Sequence, residues 1–354
     1  MNKIELLNKL VSFNTINDKG NSKMINWISV YLEELGFSLK RINDSDDKSC
    51  LIATYGSNPN LTFLGHTDTV SYSNWKYAPF KVTIENGNLY GLGVCDMKGG
   101  ISAFLTAITN IDLKKLKRGI QIVLTFDEEK SFEGIKLLTN HLNLLSKNIL
   151  IGEPTDLIPV IGTKGCIEYK ITFTGKGTHF SNVVDGVNAI VECNKFINDL
   201  LKYSEELKKE QNSLFNIPYT TMNIGIINGG SVINIVPDKC ELVFDFRTID
   251  KKQHEIIKDQ VLKLVNKYDA ILTEITNVYP SGIKNENIKF YENLTNKKVT
   301  CFNYVTEASF LDKSNNIILG PGPNTSHEKD EYISIDSYDK TIKIYEKIIR
   351  KYCE

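Results

Sequence analysis

Four short apolar runs set the terms on which this chain can fold: LTFLG from Leu61, IQIVLTF from Ile120, NILIG from Asn148 and NIILG from Asn316. Runs of this length, apolar on consecutive residues, suit strands buried in a mostly parallel central sheet flanked by helices. The residues just beyond each run are as telling. His66 and Asp68 come after the first, Asp127, Glu128 and Glu129 after the second, Glu153 after the third, and His327 after the PGPNTS loop beyond the fourth. In open α/β sheets, ligands bind outside the carboxyl ends of the strands, so the clustering marks where an active site should lie.

The stretch from 61 to 100 carries half of that site. Leu61 to Leu64 is broken at Gly65 and at once delivers His66 and Asp68, which strand alternation puts on one side. Asp96 follows in a glycine-flanked turn just ahead of Gly99 to Ile111, whose small and apolar residues suit a helix packed on a sheet. Imidazole and carboxylate at the ends of neighbouring strands are what zinc needs, since it takes nitrogen and oxygen ligands in a compact shell. If His66, Asp96, Glu129, Glu153 and His327 converge, Asp68 and Glu128 bring the carboxylates to five, which cannot all stay ionised without cations. Two zinc ions oppose four positive charges to the three ligating carboxylates, with a hydroxide balancing the rest and the metals roughly 3.5 to 4 Å apart. Water on zinc ionises near neutrality, and an unligated Glu can pass its proton to a leaving amine, so the expected reaction is amide hydrolysis.

The remaining chain frames this site. Its 354 residues favour two domains, and its formal net charge of -1 gives no support to nucleic-acid or general membrane-surface binding. Seven scattered cysteines without a CxxC pair argue against a disulfide framework, and the N-terminus shows neither signal peptide nor spanning helix, so a cytoplasmic location is expected. Two helices, IELLNKLVSF and SKMINWISVYLEELGF, precede a pair of extended runs, FSLKRI and SCLIATYG. From Lys164 to Thr276 the order is strand, helix, strand, strand, helix, strand, the split pattern of a ferredoxin-like α+β domain. Residues 164–276 are therefore expected as an insertion in a discontinuous catalytic domain of 1–163 and 277–354, closed by the amphipathic SYDKTIKIYEKIIRKYC.

The strings GHTDTV, YGLGVCDMKGG, DEEKSFEG, GEPT and the late H-x-x-D-E-Y resemble the zinc-dependent aminoacylase and deacetylase peptidases over nearly the whole chain. The resemblance implies two zinc ions, with cobalt as a substitute. His66 and Glu153 would bind one, Glu129 and His327 the other, and Asp96 would bridge them. It also implies that Asp68 orients His66, that Glu128 is the general base, and that the peptide after Asp96 is cis. The inserted domain would be a dimerisation lid whose THFSN carries His179 to the partner's active site as an oxyanion donor, with Asn234 and Arg247 holding the substrate carboxylate. Within the family, TEASFL and ILGPGPNTSHEKDEY are similar to the acetylornithine deacetylases of arginine biosynthesis. Glu307, where desuccinylases carry another pattern, could face a basic substrate side chain. The expected partner is thus an N-acyl amino acid, with succinyl-diaminopimelate or succinylornithine deacylation, then dipeptide hydrolysis, as alternatives within the family. The usual proline after HxS is missing, since Asn182, Val183 and Val184 follow Ser181.

Blander readings compete at each position. Glu128 and Glu129 could be a charge pair at a helix N-terminus, Glu153 a turn residue before Pro154, and Arg247 part of a solvated strand face. GLGVCD mimics a dinucleotide fingerprint but lacks the third glycine, and Asp96 would meet a pyrophosphate with like charge. A catalytically silent metal-binding dimer is the alternative from another class. His141 and His254 lie in charged or polar helical contexts and receive no function.

Overall fold

The computed structural model describes every residue except 17, 18, 46, 284, 312 and 313. The chain groups into two compact units. One comprises Met1–Ile161, Lys284–Thr300 and Phe310–Glu354; the other comprises Gly162–Ile283 and Cys301–Ser309.

In the first unit the four apolar runs are neighbours in one sheet. Strands Ile120–Thr125, Leu61–His66, Asn148–Ile151 and Asn315–Ile318 lie side by side in that order, all parallel. Antiparallel strands Ser49–Tyr55 and Ser38–Asn43 extend the sheet past Ile120–Thr125, and Val160 pairs with Ile318 on the other side. Every residue of Leu61–His66 and Ile120–Thr125 is buried, as a strand covered on both faces requires. Helices Lys98–Asn110 and Ile335–Cys353 pack on the sheet together. Phe63 stacks on Phe104 with centroids 4.3 Å apart and meets the edge of Tyr345 at 6.0 Å, while the Ser102 and Tyr338 hydroxyls lie 2.7 Å apart. Helix Ser22–Glu34 turns Met24, Ile25, Ile28 and Leu32 inward, the spacing of one helical face.

Glycine sets how closely helix Lys98–Asn110 approaches the sheet. A Cβ on Gly100 would fall 2.0 Å from the carbonyl oxygen of Gly152, just past strand Asn148–Ile151. One on Gly99 would fall 2.0 Å from the Val94 carbonyl oxygen. Main chain therefore rests on main chain, and the start of the helix, with Asp96 ahead of it, is held beside the loop that carries Glu153. A small sheet does the same for the C-terminal segment: Tyr332–Ser334 pairs antiparallel with Asn88–Tyr90, which runs directly into the Asp96 turn.

The second unit is a four-stranded antiparallel sheet in the order Thr221–Gly229, Lys239–Thr248, Gly165–Thr174, Ile271–Val278. Numbered along the chain, this is the 2-3-1-4 arrangement of the ferredoxin-like pattern. Alternate residues of the two central strands, among them Ile167, Tyr169, Ile171, Leu242, Phe244 and Phe246, form a core with helices Ala189–Leu207 and Lys251–Lys267. Packing divides the chain elsewhere than the limits 164–276 drawn from sequence. The Cys301 N–H donates to the Leu214 carbonyl (2.9 Å), the Lys164 N–H donates to the Phe302 carbonyl (3.0 Å), and the Thr163 and Ser309 hydroxyls are 3.1 Å apart. These bonds tie Cys301–Ser309, and with it Glu307, to the second unit. Among the described residues, no helix is long and apolar enough to cross a membrane. All seven cysteines are buried, and among the described residues none forms a disulfide.

His254 belongs to this second core. Its Nδ1 lies 2.9 Å from the Thr248 hydroxyl, its Nε2 lies 2.9 Å from Asn277 Oδ1, and its ring stacks on Tyr279 at 4.3 Å. The amide oxygen accepts from Nε2–H and the hydroxyl donates to Nδ1, so the ring is held neutral, and burial lowers its pKa below the usual value. A depressed histidine binds its proton more readily unfolded than folded, so its contribution to stability is lost as pH falls below about 6.5. Urea unfolding at pH 7 and pH 5 is expected to show a smaller acid loss in His254→Gln than in the wild type. Identical losses would assign the acid sensitivity elsewhere.

Candidate metal centre

His66 ends its strand with a fully buried ring. Nδ1 lies 3.1 Å from the backbone carbonyl of Asp68, an oxygen that can only accept, so Nδ1 keeps its hydrogen and Nε2 is the nitrogen whose lone pair is freed for another partner when the ring loses a proton. Nε2 points at two carboxylates, 3.0 Å from Asp96 Oδ1 and 3.8 Å from Glu153 Oε1. Burial disfavours a charge on this ring. Hydrogen bonds to Asp68 and Asp96 and the charge of Glu153 outweigh it, and its pKa stands well above the usual range.

Asp96 offers one oxygen to each imidazole. Oδ1 faces His66, and Oδ2 is 3.7 Å from His327 Nε2. Burial raises its pKa, but His66 and His327 more than compensate and keep it below the ordinary carboxylate value. The Asp96–Met97 peptide is cis. His327, at a positive φ of 63°, reaches Glu129 Oε2 at 2.8 Å, and that hydrogen bond holds its pKa up at about 9. The other Glu129 oxygen, Oε1, is buried with no hydrogen-bond partner among the described residues. Its pKa is raised by burial and by Asp96. An orphaned anionic oxygen beside imidazole nitrogens fits a cation better than any protein donor in reach. His66, Asp96 and Glu129 present ligand atoms within 4.8 Å of one another, and the nitrogen-oxygen donor set suits zinc.

Asp68 and Glu128 complete the cluster. The Asp68 carboxylate accepts the backbone N–H groups of Glu128 (3.2 Å) and Glu129 (3.1 Å), and it lies 3.5 Å from His66 Nδ1. It thus steadies the glutamate pair more directly than it orients the imidazole, whose nearer acceptor is the Asp68 carbonyl. Glu128 is half-buried, and burial, with Glu153, Glu129 and Asp96 around it, raises its pKa well above that of an ordinary carboxyl. Asp127, at a positive φ of 55°, turns the chain out of its strand, and Lys48 Nζ fastens it at 2.5 Å.

The other residues singled out from sequence lie in the second unit. His179 is exposed on its loop, with Nδ1 2.8 Å from the Ser181 hydroxyl. Asn234 lies alongside it, since the Phe180 N–H donates to the Asn234 carbonyl at 3.0 Å. Arg247 is already engaged on the outer sheet face, its Nε donating to Asp245 Oδ2 at 2.8 Å and its guanidinium 3.7 Å from Glu168. Glu307 is wholly buried. Sequence reading missed three side chains in the first unit. Glu331 accepts N–H groups from the Asp96 turn, Lys48 holds Asp127, and the buried Lys98 donates to the Phe13 carbonyl at 2.8 Å. Burial brings the pKa of Lys98 down to about 7 and that of Glu331 up to about 7. Glu331 stands inside the H-x-x-D-E-Y string, but its partners are main-chain amides far back in the sequence, which leave no side-chain signal.

An open α/β sheet whose strand ends gather two imidazoles and five carboxylates is the framework of a metal-dependent hydrolase. Residues 62–351 match Peptidase family M20/M25/M40. An acetylornithine deacetylase of Pasteurella multocida is 32% identical over 95% of this chain and 92% of its own length. One of Buchnera aphidicola is 34% identical over 99% and 97%. A tripeptidase from Staphylococcus aureus shares the fold, with a TM-score of 0.81 at 23% identity over 99% of both chains. The chain belongs to the M20 peptidase family and is a metal-dependent hydrolase of amide bonds.

Proposed function

We propose that the protein removes the acyl group from an N-acyl amino acid, with N-acetylornithine as substrate, and that two zinc ions serve the reaction. The observation that carries this reading is Asp96, whose two oxygens face different imidazoles at 3.0 and 3.7 Å. In this arrangement His66 and Glu153 would hold one zinc, His327 and Glu129 the other, and Asp96 would bridge. Zinc bound there would polarise the scissile carbonyl and bring the ionisation of water towards neutrality. Glu128 takes the proton of the attacking water and returns it to the leaving amine, a role that suits a carboxyl whose proton affinity is raised. Asp68 keeps Glu128 and Glu129 in place through their amides. The substrate assignment draws on relatives that carry the name acetylornithine deacetylase and align over more than nine-tenths of their own lengths.

The second unit serves, in this reading, as a lid and dimerisation domain, with His179 offered to the partner's site and Asn234 and Arg247 to the substrate carboxylate, whereas Glu307, wholly buried, presents no surface to a basic substrate side chain. Its exposed apolar side chains support this: Phe180, Val183, Val184, Ile226, Ile227 and Ile233 are all open to solvent, Ile233 completely. A patch of that kind beside an edge strand calls for a cover, and a second copy of the chain provides one. Sedimentation is expected to give twice 40.1 kDa. The decisive experiment offers the zinc-loaded protein N-acetylornithine, N-succinylornithine, N-succinyl-diaminopimelate and dipeptides. The highest kcat/KM is expected on N-acetylornithine; a stronger preference for dipeptides would replace the deacetylase reading with a peptidase one.

A further inference from the structure

Glu331 lies four residues beyond His327 and is 2% exposed. Its Oε1 accepts the N–H groups of Cys95 (2.7 Å) and Asp96 (2.9 Å), and its Oε2 accepts that of Gly93 (3.0 Å). Its backbone carbonyl accepts the Gly91 N–H at 3.2 Å. One side chain on the His327 segment therefore grips three amides of the turn that delivers Asp96. A carboxylate suits this work because both its oxygens are acceptors and neither presents a hydrogen. The two imidazoles differ in how they are held. His66 ends a buried central strand, whereas His327 sits half-exposed on a loop, and the Asp96-to-His327 approach depends on how that loop is fastened. The strand pairing of Tyr332–Ser334 with Asn88–Tyr90 anchors the segment further on, but at the turn itself the other side-chain bonds are sulfur contacts, such as the Thr325 N–H donating to Cys95 Sγ at 3.4 Å.

We infer that Glu331 is a positioning residue that sets the spacing between Asp96 and His327 and thereby the affinity of the site for its second cation. This rests on the two-zinc reading of the centre. Glutamine at 331 keeps one oxygen for Cys95 and Asp96 but turns an amide N–H towards the Gly93 N–H, donor against donor. Leucine removes all three acceptances. Buried partners that orient ligands in this way typically contribute about 10–100-fold to metal affinity.

The test titrates zinc against a competing chelator in the wild type, Glu331→Gln and Glu331→Leu, alongside thermal melts of each metal-free protein. The wild type is expected to bind two equivalents. Glu331→Gln is expected to bind the first as tightly, to bind the second about 10–100-fold more weakly, and to melt close to the wild type without metal; its turnover should recover as zinc is raised. Glu331→Leu should weaken the second equivalent further, and if it does not fold, the glutamine variant decides. Two equivalents bound by Glu331→Gln with wild-type affinity, or both weakened alike, would overturn the assignment. A wild type that binds fewer than two equivalents would instead overturn the two-zinc reading, and the inference would fall with it.

Discussion

Glu128→Gln is expected to lower kcat by about 10²- to 10⁴-fold while leaving zinc content unchanged. The geometry gives Glu128 no ligand duty. His66 Nε2 is met by Asp96 and Glu153, and His327 Nε2 by Glu129 and Asp96. Glu128 stands among these acids, and burial and their charge raise its proton affinity. Glutamine matches glutamate in shape and can neither take nor return a proton, so turnover should collapse with KM little changed. Steady-state kinetics beside zinc analysis checks both halves. Turnover near the wild-type level would remove Glu128 from the proton path, and loss of zinc along with activity would make it a ligand.

Asp96→Asn is expected to have the widest effect on metal binding of any substitution at the centre, because both imidazoles turn to this one carboxylate. Adding zinc to the metal-free wild type should raise its thermal midpoint, since a ligand that binds only the folded chain stabilises it by about 4 kcal/mol at a thousandfold excess over Kd. In Asp96→Asn most of that rise should vanish. The neutral amide gives up the charge that offsets two cations, and its nitrogen is no ligand. Glu153→Gln, which changes the partner of only one imidazole, should keep part of the rise. A full zinc-induced shift in Asp96→Asn would mean that the metals bind elsewhere. Because zinc must displace protons that the surrounding carboxylates hold on His66 and His327, its binding should strengthen as pH rises towards 9.

Much of the first unit could be read from sequence because its signal is local. Each central parallel strand is a consecutive apolar run, and His66, Glu128, Glu129 and Glu153 sit within a few residues of a strand end. The parallel order then gathers them with no further information. Asp96 and His327 were legible for another reason: one glycine-flanked turn and one proline-rich loop are the kinds of segment that present a side chain beyond a sheet. The support beneath them escaped. Glu331 binds amides 235 to 238 residues away, and Lys48 meets Asp127 79 residues on, pairings that no periodicity announces. Alternation puts Asp245 on the same strand face as Arg247, but nothing in the sequence announced that Glu168 would join them from the neighbouring strand. The pieces 162–163 and 301–309 join the second unit through backbone and hydroxyl bonds, which composition does not reveal.

The backbone-to-backbone seat of Gly100 on Gly152 has a wider meaning. With no side chain between them, the gap separating the Asp96 turn from the Glu153 loop is metered by peptide dimensions alone, which drift in neighbouring residues cannot alter. Such a gauge lets the walls of a substrate pocket be rebuilt for a new acyl group while the spacing of the chemical groups stays as it was.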